Sequence, residues 1–335
     1  MMGEFELLGK LRERLPPGGP RVRLGSGDDA AVTVPEGATA TSVDAIVDGV
    51  HFRREEAPPQ AIGRKALAAA LSDLAAMGAT AGEAYVVLGA PPDLGEGEFD
   101  ALLDGLLALA AETGTTLAGG DLTRAPSLML AVTVVGHAER PDELIPRSGA
   151  EPGDLLVVTG ELGGAAAGRL LLDTPALKAS LAETTADHLR GRQLEPTPRL
   201  RSGRALAAAG ARAMIDLSDG LAGDAGHLAR ASGVGLKIDV ASLPLAKGLA
   251  EVAAVAGKEP LALAAAGGED YELLAALPPE KLAEASTRLG EAAETTLTAI
   301  GEVVAGEEVE LRLPGGGLLE SRGYDHFGER SGEDP

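Results

Sequence analysis

Cysteine is absent from the 335 residues. That excludes disulfides, thiolate-ligated zinc, iron–sulfur clusters and thiol nucleophiles. Tryptophan is absent as well, and four Phe and three Tyr are the only aromatics. The interior must therefore be assembled from Ala, Leu and Val, and the stacking platforms that hold single-stranded nucleic acid are scarce. Positive charge is also short: 29 Lys and Arg face 51 Asp and Glu, a net charge of −22. Such a surplus repels nucleic acid and anionic membrane. No apolar run reaches the ~18 residues that a membrane span needs. The opening MMGEFELLGKLRERLPPG has no signal-like apolar stretch, so a soluble cytoplasmic protein is expected.

What remains is ordinary globular material, 45% hydrophobic and 24% charged. At ~150 residues per domain the length suggests about two domains. Strands are expected near Val22, over Thr39–Val47, Tyr85–Leu88, Thr115–Ala118 and Leu128–Val135. Helices are expected over Ala61–Met77, where Ile62, Ala66, Leu67, Ala70, Leu71 and Leu74 recur at helical spacing, and over Phe99–Ala111. Gly119-Gly120-Asp121 reads as a turn between two apolar strands. The proline-bearing stretch from Glu139 to Asp154 reads as a linker. Strand–helix alternation then resumes from Leu155, with a glycine turn over Gly160–Gly164 and a strand over Ala213–Ile215. Domains over 1–140 and 141–335 are expected.

Seven acids sit where packing or turn chemistry alone explains them poorly. Asp73 falls on the apolar stripe of its helix, and Lys65 and Arg64 lie too far along the axis for an easy local pair. Asp44 interrupts a strand-like run behind Ser42. Asp28 and Asp29 share a glycine-bounded turn, Asp121 follows two glycines, and Asp216 and Asp219 bracket Ser218 before a helix. Singly, a turn or a helix cap accounts for the last five. Together, oxygen donors without His or Cys suit Mg²⁺, Mn²⁺ or Ca²⁺, and so many carboxylates suggest several ions around a polyphosphate. The phosphate-binding loop with its Lys, the dinucleotide fingerprint, the protein-kinase signatures and the serine-hydrolase elbow are all absent.

Several motifs carry a resemblance. Gly27-Asp28-Asp29-Ala30-Ala31, Ser42-Val43-Asp44 with Asp48-Gly49-Val50-His51-Phe52, SDLAAMGA from Ser72, Gly119-Gly120-Asp121, Asp216-Leu217-Ser218-Asp219-Gly220, GGEDYEL from Gly267 and GYDHF from Gly323 follow one another in order. The chain resembles the thiamine-monophosphate kinase family, part of the aminoimidazole-ribonucleotide-synthetase-like superfamily. The resemblance implies an α/β (mixed α+β), two-domain fold of the PurM type: a mixed sheet with helices, then a C-terminal α/β domain. It implies ATP-dependent phosphorylation of thiamine monophosphate to thiamine diphosphate with several Mg²⁺ ions, in a cytoplasmic homodimer paired through the N-terminal domains. Position by position, Asp29, Ser42, Asp44, Asp73, Asp121, Asp216 and Asp219 correspond to the metal set. Gly120, Asp121, Arg147 and Ser218 correspond to ATP contacts, and His51, Glu269 and Tyr324 to substrate contacts. Asp73 and Arg147 carry the expected catalytic roles.

Three positions depart from the family's habit: Val43 for Thr, Ala70 for Asn, and Thr113 near a frequent aromatic. The alternatives are another ATP-using enzyme of the superfamily, or a non-catalytic module that binds divalent ions or nucleotides. The cysteines typical of the selenophosphate and hydrogenase-maturation relatives are missing.

Overall fold

The structure, a computed structural model, describes residues 9–11, 13–15, 19–26, 30–293 and 295–319. It divides into two compact units between Leu144 and Ile145, with the short segment Ala75–Gly78 grouped with the second. The division falls within the proline-bearing stretch.

In the first unit, β1 (Val22–Leu24) and β2 (Val32–Thr33) form a small antiparallel pair. The main sheet runs in the order β3 (Ala38–Val47), β6 (Met129–Ala138), β4 (Thr80–Ala90) and β5 (Thr116–Arg124). All neighbours are antiparallel except β4 and β5, which are parallel and are joined through the helix α2 (Glu96–Thr113). The helix α1 (Pro59–Ala76) connects β3 to β4. Alternation in β6 buries Leu130, Val132 and Val134. Gly136 on that strand lies where an added Cβ would be 3.0 Å from Leu74 of α1, so the helix packs on this face. The opposite face stays open, with Val43 65% and Val87 37% exposed.

Where aromatic bulk is lacking, backbones close up instead. A Cβ on Gly63 of α1 would lie 1.9 Å from the Leu102 carbonyl oxygen of α2, and one on Gly105 would lie 1.7 Å from that of Gln60. The two helices meet main chain to main chain.

The second unit is a six-stranded sheet. Its order is β12 (Val309–Arg312), β9 (Gly235–Asp239), β11 (Leu297–Val304), β7 (Leu155–Thr159), β10 (Leu273–Leu277) and β8 (Ala213–Asp216). Only the β12–β9 pair is parallel. The runs LLVVT and LLAAL are the adjacent interior strands β7 and β10, apolar but for Thr159 because both faces are covered. Leu156, Val158, Leu274 and Ala276 belong to one core with α3 (Gly164–Asp173), α4 (Glu183–Leu194), α6 (Leu221–Ser232), α7 (Leu249–Ala256) and α8 (Pro260–Ala266). Val157, Leu273, Ala275 and Leu277 belong to a second core with α5 (Leu200–Ala209) and α9 (Leu282–Ala293). Helices, sheet and helices make three layers, as the expected α/β class requires.

Gly119-Gly120-Asp121 is not a turn. It lies inside β5, and the chain reverses later, before β6. Gly120 has φ 151°, and a Cβ there would fall 2.0 Å from the Val86 carbonyl oxygen, so the glycine serves a close strand-to-strand approach.

Candidate functional site

The acids of the first unit stand on regular elements. Asp73, half-buried on α1, accepts a hydrogen bond from the Ser42 hydroxyl on β3. The cations of its own helix are engaged elsewhere: Arg64 holds Glu112 through both nitrogens at 2.8 Å, and Lys65 Nζ donates to the His51 carbonyl at 3.0 Å. Asp44 lies two residues beyond Ser42 on the same strand face, and its Oδ1 accepts from the Ala45 amide at 2.7 Å. Asp121 is elsewhere. Register puts it in the row of Val87, Ala131 and Ala45, the open face, whereas Asp44 shares the row of Val132, Val86 and Gly120. Asp28 and Asp29 lie outside the described residues.

His51 belongs to a tight turn after β3. Gly49 takes φ 82°, its amide donates to the Phe52 carbonyl at 2.8 Å, and the Val47 amide donates to His51 Nδ1 at 3.1 Å. With Nδ1 accepting, the neutral ring carries its proton on Nε2. Lys65, only 1% exposed, fastens this turn from beneath.

The second unit presents its acids at the ends of regular elements and on the irregular backbone between them. The segment Asp216–Gly220 joins β8 to α6. Gly220 is the N-cap of α6 and no side chain caps that helix, so neither Asp216 nor Asp219 is spent as a cap. Gly220 has φ 98° and lies where a Cβ would meet the Ala266 carbonyl oxygen at 2.6 Å. A third acid joins the two expected ones: Asp224, 2% exposed, accepts the Asp219 amide at 3.1 Å. Burial, then the charges of Asp216 and Asp219, push its carboxyl up to about 8, with Arg147 opposing. Sequence reasoning passed over Asp224. The available signal was its position on the buried stripe of α6 with Leu221, Ala225 and Leu228.

The segment Gly267–Glu272 is bonded along this loop. The Glu269 amide donates to the Ser218 carbonyl at 2.8 Å, the Tyr271 amide to Leu217 at 2.9 Å, and the Leu217 amide to Glu272 at 2.8 Å. Among the described residues, Glu269 and Tyr271 are the two non-glycine residues with positive φ, 63° and 51°. Each such conformation costs on the order of 1–2 kcal/mol, and persists only where surroundings over-determine it. Here they do. The buried Asp270 carboxylate accepts the amides of Gly163 (2.6 Å) and Ala165 (3.0 Å) at the start of α3. The Gly160–Gly164 turn thus receives an anion from its own chain. Burial pushes Asp270 up to about 6, against the pull of Arg192 and the two amides.

Glu272, 0% exposed, binds Arg199 (2.8 and 2.5 Å), Arg192 (3.2 Å) and the Thr159 hydroxyl (2.8 Å). Glu269 itself accepts a hydrogen bond from the Gln193 side-chain amide. Arg192, Gln193 and Arg199 lay more than 70 residues from these partners and had no local signature. Tyr324 lies outside the described residues. Among the described residues, no group of three or more His, Cys, Asp or Glu is placed to hold a metal ion.

Residues 27–138 match the family described as AIR synthase related protein, N-terminal domain, and residues 151–314 match its C-terminal domain. Thiamine-monophosphate kinase of Escherichia coli (strain K12) is 38% identical over 331 residues, covering 97% of this chain and 98% of its own. The chain belongs to the thiamine-monophosphate kinase family. The crystal structure of thiamine-monophosphate kinase from Stenotrophomonas maltophilia K279a is 36% identical, with a TM-score of 0.81 over 94% of this chain and 98% of that one. A structure of AaThiL complexed with AMPPCP and TMP is 31% identical, with a TM-score of 0.77 over 97% of each chain. The two-domain PurM-like α/β fold expected from the sequence is the fold of this family.

The three positions expected to depart from family habit have these surroundings. Val43 stands on the open sheet face, Ala70 is fully buried in α1, and the Thr113 hydroxyl donates to the Leu109 carbonyl at 2.8 Å as α2 ends.

Proposed function

We propose that the protein transfers the γ-phosphoryl group of ATP to thiamine monophosphate, releasing ADP and thiamine diphosphate. One observation supports this most directly. The segment expected to meet ATP and metal, Asp216–Gly220, is hydrogen-bonded through Leu217 and Ser218 to the segment carrying the expected substrate carboxylate, Glu269. Donor and acceptor recognition then share one rigid frame in the second unit. The related AaThiL complexed with AMPPCP and TMP is in keeping with this pairing of ligands.

The chemistry asks little of a general base. The acceptor is a phosphate monoester with a second pKa of about 6, so it is already mostly dianionic at pH 7. One of its oxygens attacks the γ-phosphorus, the bond from that phosphorus to the β,γ-bridging oxygen breaks, and ADP leaves with the electron pair. Direct in-line transfer without a phosphoenzyme follows. The obstacle is repulsion, roughly 4 kcal/mol for unit charges 4 Å apart at an effective dielectric of 20.

The donor set fits Mg²⁺ in kind. Ser42, Asp44, Asp73, Asp121, Asp216 and Asp219, with Asp29 of the resemblance, are all hard oxygen donors. Mg²⁺ uses one or two protein carboxylates per ion and fills its other positions with phosphate and water. That matches donors that occur in small groups, Ser42 with Asp73 and Asp216 with Asp219, while Asp121 stands apart on the open face. Bound there, Mg²⁺ would neutralise phosphoryl oxygens and align the displacement. Arg147 adds a cation for the transferred group, while Gly120 and Ser218 contact ATP. His51 offers its Nε2–H to the acceptor phosphate, Glu269 meets the cationic thiazolium, and Tyr324 supplies a flat wall.

A cytoplasmic homodimer completes the reading, supported by the open sheet face bearing Val43 and Val87. No helix among the described residues is long and apolar enough to cross a membrane. Incubation with ATP, Mg²⁺ and thiamine monophosphate should yield ADP and thiamine diphosphate in equal amounts. ATP consumption without thiamine diphosphate would reject the assignment.

A further inference from the structure

Gln193 is a neutral polar side chain with almost no access to solvent, 3% exposed near the end of α4. Its amide nitrogen donates to Glu269 Oε2. A carboxylate only accepts, so this contact fixes which way the amide faces. The stem has little room to swing, since a Cβ added to Gly168 of α3 would lie 2.9 Å from Gln193 Cβ and 2.1 Å from the Leu189 carbonyl oxygen. The preceding residue, Arg192, is tied to Glu272 and to the Glu161 carbonyl, which anchors this part of α4. On the other side Glu269 sits in left-handed backbone, locked by the Ser218 hydrogen bond and by Asp270 at the start of α3. The carboxylate is therefore held at both ends, by strained main chain and by a buried amide.

The choice of donor has a chemical consequence. An arginine or lysine at 193 would orient Glu269 and also cancel its charge. A glutamine orients it and adds no positive charge of its own.

Resting on the reading of Glu269 as an acceptor contact, we infer that Gln193 is a positioning residue for acceptor specificity. It holds the Glu269 carboxylate as an aimed anion, which favours acceptors carrying a fixed positive ring over neutral ones of the same shape. Gln193 need not touch the acceptor; it acts through Glu269.

The experiment compares thiamine monophosphate with an analogue whose thiazolium is replaced by an uncharged thiophene ring. KM and kcat are measured for both acceptors, and KM for ATP, in wild type, Gln193→Met, Gln193→Asn and Glu269→Gln, with thermal melting as the check on folding. Met keeps the volume without the donor, and Asn keeps the amide but withdraws it. If one variant fails to fold, the other reads the same ratio. The expected result is a rise of about tenfold in KM for thiamine monophosphate, as loss of one charge-assisted hydrogen bond implies. KM for ATP should stay within about twofold, and the preference for the cationic acceptor should fall toward that of Glu269→Gln. A preference lost in Glu269→Gln but kept in both Gln193 variants overturns the positioning role alone. A preference kept in Glu269→Gln overturns the reading of Glu269, and the role of Gln193 with it.

Discussion

The two units present carboxylates in opposite ways. In the first, Ser42, Asp44 and Asp73 project from a strand and a helix; the Ser42 hydroxyl donates to Asp73 and the Ala45 amide to Asp44. In the second, Asp216, Asp219, Asp224 and Glu269 sit on or beside irregular backbone bonded strand-like to itself and braced by Asp270, Glu272 and two arginines. Regular elements carry their own main-chain hydrogen bonds, so side chains on them need little further support. A loop has no such ladder, and its geometry has to come from buried polar contacts. The first unit's acids are accordingly separable from stability, and the second unit's are not.

The sharpest break between the two comes from Asp73→Asn. The amide oxygen still accepts from Ser42, so melting should move by no more than a few degrees, while kcat falls by about 10³-fold because the anionic donor is gone. Near-normal turnover would remove Asp73 from the reaction. Glu272→Gln should show the converse. It leaves two arginines beside a neutral amide, and breaking such a buried pair costs about 3–5 kcal/mol. Urea unfolding reads this directly, and an unchanged midpoint would mean that the arginines find other partners.

A third test uses pH. Asp224 has a folded pKa raised to about 8, far above the ≈ 3.9 of an unfolded aspartate. Between those values the folded chain holds a proton that the unfolded chain has released. Stability is therefore fully present below about pH 4 and declines toward pH 8, with a slope of up to about 1.4 kcal/mol per unit from this group. Asp224→Asn, melted in EDTA across that range, should flatten the decline, and a parallel curve would assign it to other groups. The smallest effect belongs to Arg64→Ala. The Arg64–Glu112 pair is bidentate, but the Glu112 side chain is 55% exposed, so the loss should stay within about 1 kcal/mol. A larger loss would show that the first unit also leans on its ion pairs.

Legibility in the sequence followed the range of the interaction. Leu155–Val158 read as a strand because a short apolar run ahead of a glycine turn has few other uses, and α1 read as a helix from its spacing. Gly119-Gly120-Asp121 was misread because glycine pairs usually mark turns, whereas Gly120 answers a neighbouring strand at Val86. Asp73 stood out as a carboxylate on an apolar stripe. Gln193 and Arg199 did not, since their meaning lies in Glu269 and Glu272, 76 and 73 residues away.

The bare contact of α1 with α2 has its own consequence. At Gly63 and Gly105 the separation of two cylinders is set by main-chain atoms, and hydrogen is the largest group the seam admits. Even a methyl would act as a wedge and tilt α1 as a lever, and Asp73 rides almost three turns from that fulcrum. On the proposed role of Asp73, the alignment of the reaction is thus exposed to mutation at a glycine of the helix seam.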